Sequence, residues 1–295
     1  MKTLQKLILV TLLTVLISCQ NENEPNLPPI NTSVNFQHKT TINVGGEGAS
    51  EITAFDKDSK KLFTVNVALN EISIHDISDL NTPKKETSIN LNAYGAPNSV
   101  AVFEGKLAVA VENNVKQNNG KILVFSTEDN SLLNEYTVGA LPDMVTFSPD
   151  GKTIVSANEG EPSDDYSNDP VGSVSIINLE NNNVTTLDFT AFNADETALE
   201  EKGFRVFGPN ADLAKDVEPE YVAISEDSKT AWVSLQENNG IAKVNLQTKT
   251  IEAIYPLGYK DYSLPNNSID ASDKDDVKEL KNWPVKGIYM PDAIV

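Results

Sequence analysis

Apolar and polar residues alternate along this chain in short bursts, and the bursts recur in a fixed order. Residues 143–148 (DMVTFS) alternate with the period of two that turns one face of a strand to a core. Ser148-Pro149-Asp150-Gly151 reads as a turn, because Pro presets φ, Asp bonds its own backbone and Gly tolerates φ > 0. Residues 152–157 (KTIVSA) predict a second strand, 173–179 (SVSIINL) a third, and 184–189 a weaker fourth. The same order returns from Gly95 (GAPNSVAVFEGKLAVAVENN), from Val217 (VEPEYVAISEDSKTAWVSLQENN) and, more loosely, from Glu47 (EGASEITAFDKDSKKLFTVNVALNE). Met290-Pro291-Asp292-Ala293-Ile294-Val295 opens a fifth copy. The expected fold is therefore all-β, a β-propeller of four-stranded antiparallel blades, with about four blades plus the first strand of a fifth. A β-sandwich also strings short strands between turns, but has no reason to repeat Pro-x-x-Val or Ile before the same strand–turn–strand rhythm. Four blades and one strand do not close a ring, so the pattern predicts a truncated chain whose reading frame continues past Val295.

Pro97, Pro142, Pro219 and Pro291 mark the register, at spacings of 45, 77 and 72 residues. The first matches a bare propeller repeat of about 40–45 residues. The longer two imply insertions at 159–171, 190–217 and 257–289. In an up-and-down blade, the loop between the second and third strands shares a face with the link to the next blade. All three insertions are thus expected on one rim, where a rigid scaffold presents ligand-binding loops.

The N-terminus is patterned for targeting. Lys2 and Lys6 precede an apolar run, residues 7–17, that is too short to span a bilayer. Leu16-Ile17-Ser18-Cys19 looks like a bacterial lipobox, which makes residues 1–18 a lipoprotein signal peptide and Cys19 the lipidated N-terminus. Residues 19–39 form a polar, Pro- and Asn-rich flexible tether, and 40–295 the partial propeller domain. The membrane, through the lipid anchor, is then one partner. Gln20 after the cysteine places the protein at the cell envelope, as an outer-membrane lipoprotein or at the cell surface.

Charge narrows the partners further. The net charge is −20, and loss of Lys2 and Lys6 with the signal takes it to −22. Such a field repels nucleic acid, so no nucleic-acid partner is expected, and attracts cations. Cys19 is the single cysteine, so no thiol remains in the folded part for a disulfide, a thiolate nucleophile or Cys-bound metal. The predicted rim is rich in oxygen ligands: Glu159, Glu161, Asp164, Asp165 and Asp169 lie in one loop, and Asp270, Asp273, Asp275 and Asp276 in another. Calcium takes 6–8 such oxygens from flexible loops, so both clusters are candidate calcium sites. The bases that could hold a phosphate, Lys202, Arg205, Lys260 and Lys274, are scattered. No catalytic residue is evident. His75 is expected at the surface or as a wedge, Trp232 in the core, and Trp283 packed under its insertion.

The SPDGK turn, the ANEGEPSDDYSNDP loop, PLGYKDYSLPNNSIDASDKDD and NWPVKGIYMPDAIV together resemble the choice-of-anchor I family of bacterial surface proteins. The resemblance covers roughly residues 40–295 and implies a surface propeller held by one of several kinds of anchor. Some members carry the label alkaline phosphatase, but no catalytic motif carries over residue by residue. Two functions follow as expectations. The first is a lipid-anchored binding or interaction module for an unknown protein, glycan or small-molecule ligand. The second is a calcium-dependent phosphohydrolase in which bound calcium polarises a phosphate and activates water.

Overall fold

The computed structural model describes residues 37–46 and 48–295, and the unit Thr40–Val295 carries the fold. The signal peptide, Cys19 and most of the tether lie outside the described residues. Within them the protein is all-β, in four consecutive four-stranded antiparallel sheets. The first holds β1 (Thr53–Asp56), β2 (Lys61–Asn66), β3 (Glu71–Asp76) and β4 (Lys84–Asn90), and the second β5 (Pro97–Phe103), β6 (Lys106–Val111), β7 (Asn119–Ser126) and β8 (Leu132–Ala140). The third holds β9 (Pro142–Phe147), β10 (Thr153–Asn158), β11 (Ser173–Asn178) and β12 (Asn183–Asp188), and the fourth β13 (Pro219–Ile224), β14 (Thr230–Leu235), β15 (Gly240–Asn245) and β16 (Thr250–Pro256). A two-stranded ladder, β17 (Lys260–Asp261) with β18 (Lys286–Gly287), follows.

Local chemistry sets the hairpins. Ser148 O accepts from Gly151 N at 2.8 Å, the Ser148 hydroxyl donates to Asp150 at 2.6 Å, and Gly151 takes φ +68°. The fourth sheet repeats this with Ser225, Asp227 and Ser228. The strand-initial prolines suit strands that begin, rather than continue, a ladder.

The period-two pattern decides how the sheets stack. Phe63, Val65, Ile72 and Ile74 of the first sheet pack on Leu107, Val109, Leu123 and Phe125 of the second. The alternate residues of the second, Ala108, Ala110, Ile122 and Val124, pack on Val145, Phe147, Ile154 and Ile177 of the third. Val155, Ala157, Val174 and Ile176 then meet Val222, Val233, Ala242 and Val244 of the fourth. Each fully buried large side chain adds about 1.5–3 kcal/mol over exposure, so the sheets are held by their faces. Phe189, just before the 190–217 insertion, and Phe204 and Leu213 within it extend the last core, and short helices at Glu196–Glu200 and Leu213–Asp216 lie in that insertion.

Two expectations fail here. His75 is buried at 3% exposure, on the side of β3 shared with Ser73. Burial, then the charge of Lys85, lowers its pKa, and its Nδ1 has no partner. Trp232 is 37% exposed and lies 5.9 Å from Tyr255, because Ala231 and Val233 take the face turned to the third sheet. Trp283 is half-exposed, with its indole N–H donating to Ile269 O at 3.3 Å.

Candidate functional site

Backbone hydrogen bonds align the repeats at one end of the stack. Val67 N donates to Ala49 O, Glu112 N to Ala96 O and Glu159 N to Leu141 O. Glu51, Asn98 and Asp143 are therefore the same position in three copies, two residues past each acceptor. Glu220 follows Pro219 as Asp143 follows Pro142, and Asp292 follows Pro291. Leu141 and Met290, which precede those last prolines, both have left-handed backbone, at φ +48° and +46°. That conformation is strained for a bulky residue and recurs only where surroundings enforce it.

These five equivalent residues, Glu51, Asn98, Asp143, Glu220 and Asp292, line a single cavity of 450 Å³. Tyr221 and Gln236 complete part of its wall, and among the described residues no Lys, Arg or His lines it. Asn98 is held by donation to Pro142 O at 3.2 Å. Asp143 and Glu220 titrate as a pair, both held above the usual carboxylate range. Burial is the main cause for each. Asp292 adds repulsion at both, and Glu220 donates a hydrogen bond to Asp143. Glu159, the first residue after β10, stands against this ring and is pushed up to about 9, by burial first and then by Glu220 and Asp143. Glu218 is raised to about 7 by burial and by Glu237 and Asp216. Glu112, equivalent to Glu159 in the second sheet, is raised by burial, opposed by Lys116. Near neutrality the cavity thus carries fewer charges than carboxyls, and stores protons that a bound cation can displace.

The sequence-predicted carboxylates are dispersed. Of the 159–169 loop, Glu159 stands near Asp143 and Glu220 but does not line the cavity. Glu161 pairs with Lys116 at 3.5 Å, and Asp164 is exposed. Asp165 is lowered to about 2 by the Ser167 hydroxyl and amide and by Ser163. Asp169 is raised by burial, opposed by Lys215. Asp270, Asp273, Asp275 and Asp276 are all exposed around a second cavity of 540 Å³. Among the described residues no three His, Cys, Asp or Glu side chains come close enough to hold a metal ion. Neither loop, as folded, fits the converging oxygens that calcium requires. The acids that do converge, Asp143 and Glu220 above all, were missed by a search for local density. Their signal was the repeat register: the position after Ser50, Pro97, Pro142, Pro219 and Pro291 is acidic in four of five copies.

A family model, the choice-of-anchor I domain, matches residues 51–295. The chain belongs to the choice-of-anchor I family. Domains of this kind are associated with the cell surface. No helix among the described residues of this choice-of-anchor I domain is long and apolar enough to cross a membrane. No match was found among curated proteins. Among solved structures the domain is similar to the Kuenenia stuttgartiensis hydrazine synthase, at 16% identity and a TM-score of 0.42. That match covers 67% of this chain and 65% of the other, so the chain spans about two thirds of that relative's length.

Proposed function

We propose that this choice-of-anchor I domain is a lipid-anchored, cell-surface β-propeller that acts as a binding module, taking cationic ligands in the acidic cavity at the start of its inner strands. Cys19 is the anchor, and residues 19–39 set the domain off from the membrane. The propeller reading is supported by four like sheets stacked face to face with their first strands adjacent. One observation carries the binding reading: five successive copies deliver the same position to one cavity, and four of the five residues are carboxylates.

The phosphohydrolase reading is weaker, because the cavity wall offers no cationic side chain to hold a phosphate. Titration calorimetry with spermine, at about pH 6 and about pH 9, tests the proposal. Binding is expected to tighten at the higher pH and to weaken at least tenfold in Asp143→Asn/Glu220→Gln. Binding that ignores both pH and these substitutions would place the ligand elsewhere. Calcium-dependent turnover of p-nitrophenyl phosphate, abolished by the same substitutions, would establish the hydrolase instead.

A further inference from the structure

The turn between β14 and β15, residues 236–239, carries two consecutive asparagines, Asn238 and Asn239, both fully buried. Buried amides are retained where every donor and acceptor finds a partner, and here the partners lie in other segments of the chain. Asn238 Nδ2 donates to Arg205 O at 3.0 Å, to Asp216 O at 2.7 Å and to the Asp216 carboxylate at 2.9 Å. Its Oδ1 accepts from Glu218 N at 3.1 Å, and its backbone O accepts from Arg205 N at 2.9 Å. Asn239 Nδ2 donates to Gly203 O at 2.9 Å and Gly258 O at 2.8 Å. Its Oδ1 accepts from Tyr289 N at 2.9 Å and Met290 N at 3.4 Å, and its backbone O accepts from Leu257 N at 3.0 Å.

The repeat register sets this turn against glycines in the second and third sheets, while the first sheet also has an asparagine there, Asn70, at φ +48° with its backbone O accepting from Leu91 N at 2.8 Å. Val111, Asn158 and Leu235 are equivalent, each paired with the start of the inner strand. Their partners on the third strand are Lys121, Ser173 and Gly240. The residue before each partner is Gly120, Gly172 and Asn239. At Gly120 a Cβ would lie 2.3 Å from Pro142, and at Gly172 1.8 Å from Val217 O, so in those sheets the glycine lets the next link pass at backbone contact. In the fourth sheet a side chain occupies that place, with Asn239 at φ +56°, and the next link is bonded rather than merely packed.

We infer that the Asn238–Asn239 turn is a latch that fastens the 190–217 and 257–289 insertions into one cooperative unit, and thereby positions Asp292 at the cavity and Glu218 beside Asp216 in the adjoining pocket. Asn238 fixes the Glu218 backbone directly. Asn239 fixes Tyr289 and Met290, two residues from Asp292, whose own carbonyl is held by the Ser234 hydroxyl at 2.9 Å. Gln236, in the same turn, is itself part of the cavity wall. The latch does not depend on which ligand, if any, the cavity takes.

Native-state amide exchange on the unsubstituted protein tests it. The amides of Arg205, Glu218, Leu257, Tyr289 and Met290 all end on the two asparagines, and are expected to share one opening constant. Opening constants that differ more than tenfold between the Arg205–Glu218 group and the Leu257–Met290 group would overturn the inference. In Asn239→Ala, exchange at Glu218 is expected to quicken at least tenfold together with Tyr289 and Met290, while the first two sheets keep their protection. A uniform loss across all sheets would mean a merely structural residue. In Asn238→Ala, the Glu218 carboxyl, followed by ¹³C chemical shift, is expected to titrate lower than in the unsubstituted protein, as water reaches it. An unchanged midpoint would refute its positioning.

Discussion

Glu159 shows how much one carboxyl depends on its neighbours. In sequence it is the first of five acids in a loop, but in the fold its strongest charged neighbours are Glu220 and Asp143, from outside that loop. A carboxyl with a raised folded-state pKa holds a proton that the unfolded chain has released. Its contribution to stability is complete below the unfolded value of about 4.5, and is lost as the pH climbs through about 9. The domain is therefore expected to melt at progressively lower temperature from about pH 5 to about pH 9. Each proton held only by the native state steepens the slope by about 1.4 kcal/mol per pH unit. Glu159→Gln, which keeps the shape without the charge, should flatten that slope, and thermal melts across the range read it out. A slope unchanged by the substitution would mean that Glu159 is hydrated and titrates normally. The acids of the cavity were legible only through alignment of the repeats, since Glu51, Asp143, Glu220 and Asp292 lie far apart in sequence, at the same point of each copy.

At the scale of elements, strands and hairpins were legible because period two and turn chemistry act locally. The third sheet falls within one residue of its expected bounds, with β9 at Pro142–Phe147 and β11 at Ser173–Asn178. Which face meets which neighbour is not local. Trp232 is a large apolar residue in a strand and reads as core, yet alternation gives the buried face to Ala231 and Val233. Sheet-to-sheet packing makes Ile176→Ala, at 1% exposure, cost about 2–5 kcal/mol, measurable by urea unfolding. Gly172→Ala should cost about 1–3 kcal/mol despite adding one methyl, because Val217 O has no room to move. By contrast, Asp273→Asn and Asp275→Asn, in the exposed 270–276 loop, should change stability by no more than about 0.5 kcal/mol without a cation. If millimolar calcium raises the melting temperature and these loop substitutions abolish the rise, the loop closes around the ion from its present open arrangement.

For the whole molecule, the proposed anchor, Cys19, and the cavity residues are far apart in sequence. Cys19→Ala is expected to move the protein from the membrane fraction to the soluble fraction and to leave cation binding by the domain unchanged. Retention on membranes after that substitution would mean that something other than a lipid holds it. By itself the sequence determined the repeat, its strands and turns, the acidic balance and the resemblance to the choice-of-anchor I family. All of these rest on neighbours in the chain or on counts along it. Tertiary structure alone decided which acids share a cavity: those that follow the repeat-marking residues, rather than those in the densest loops. Carboxylates that crowd a flexible loop turn apart into water and onto local partners, as Asp165 does with Ser163 and Ser167. Carboxylates at equivalent points of stacked sheets have no such freedom. The cores between the sheets bring Asp143 and Glu220 together, and the loss of water there keeps protons on groups that would otherwise shed them.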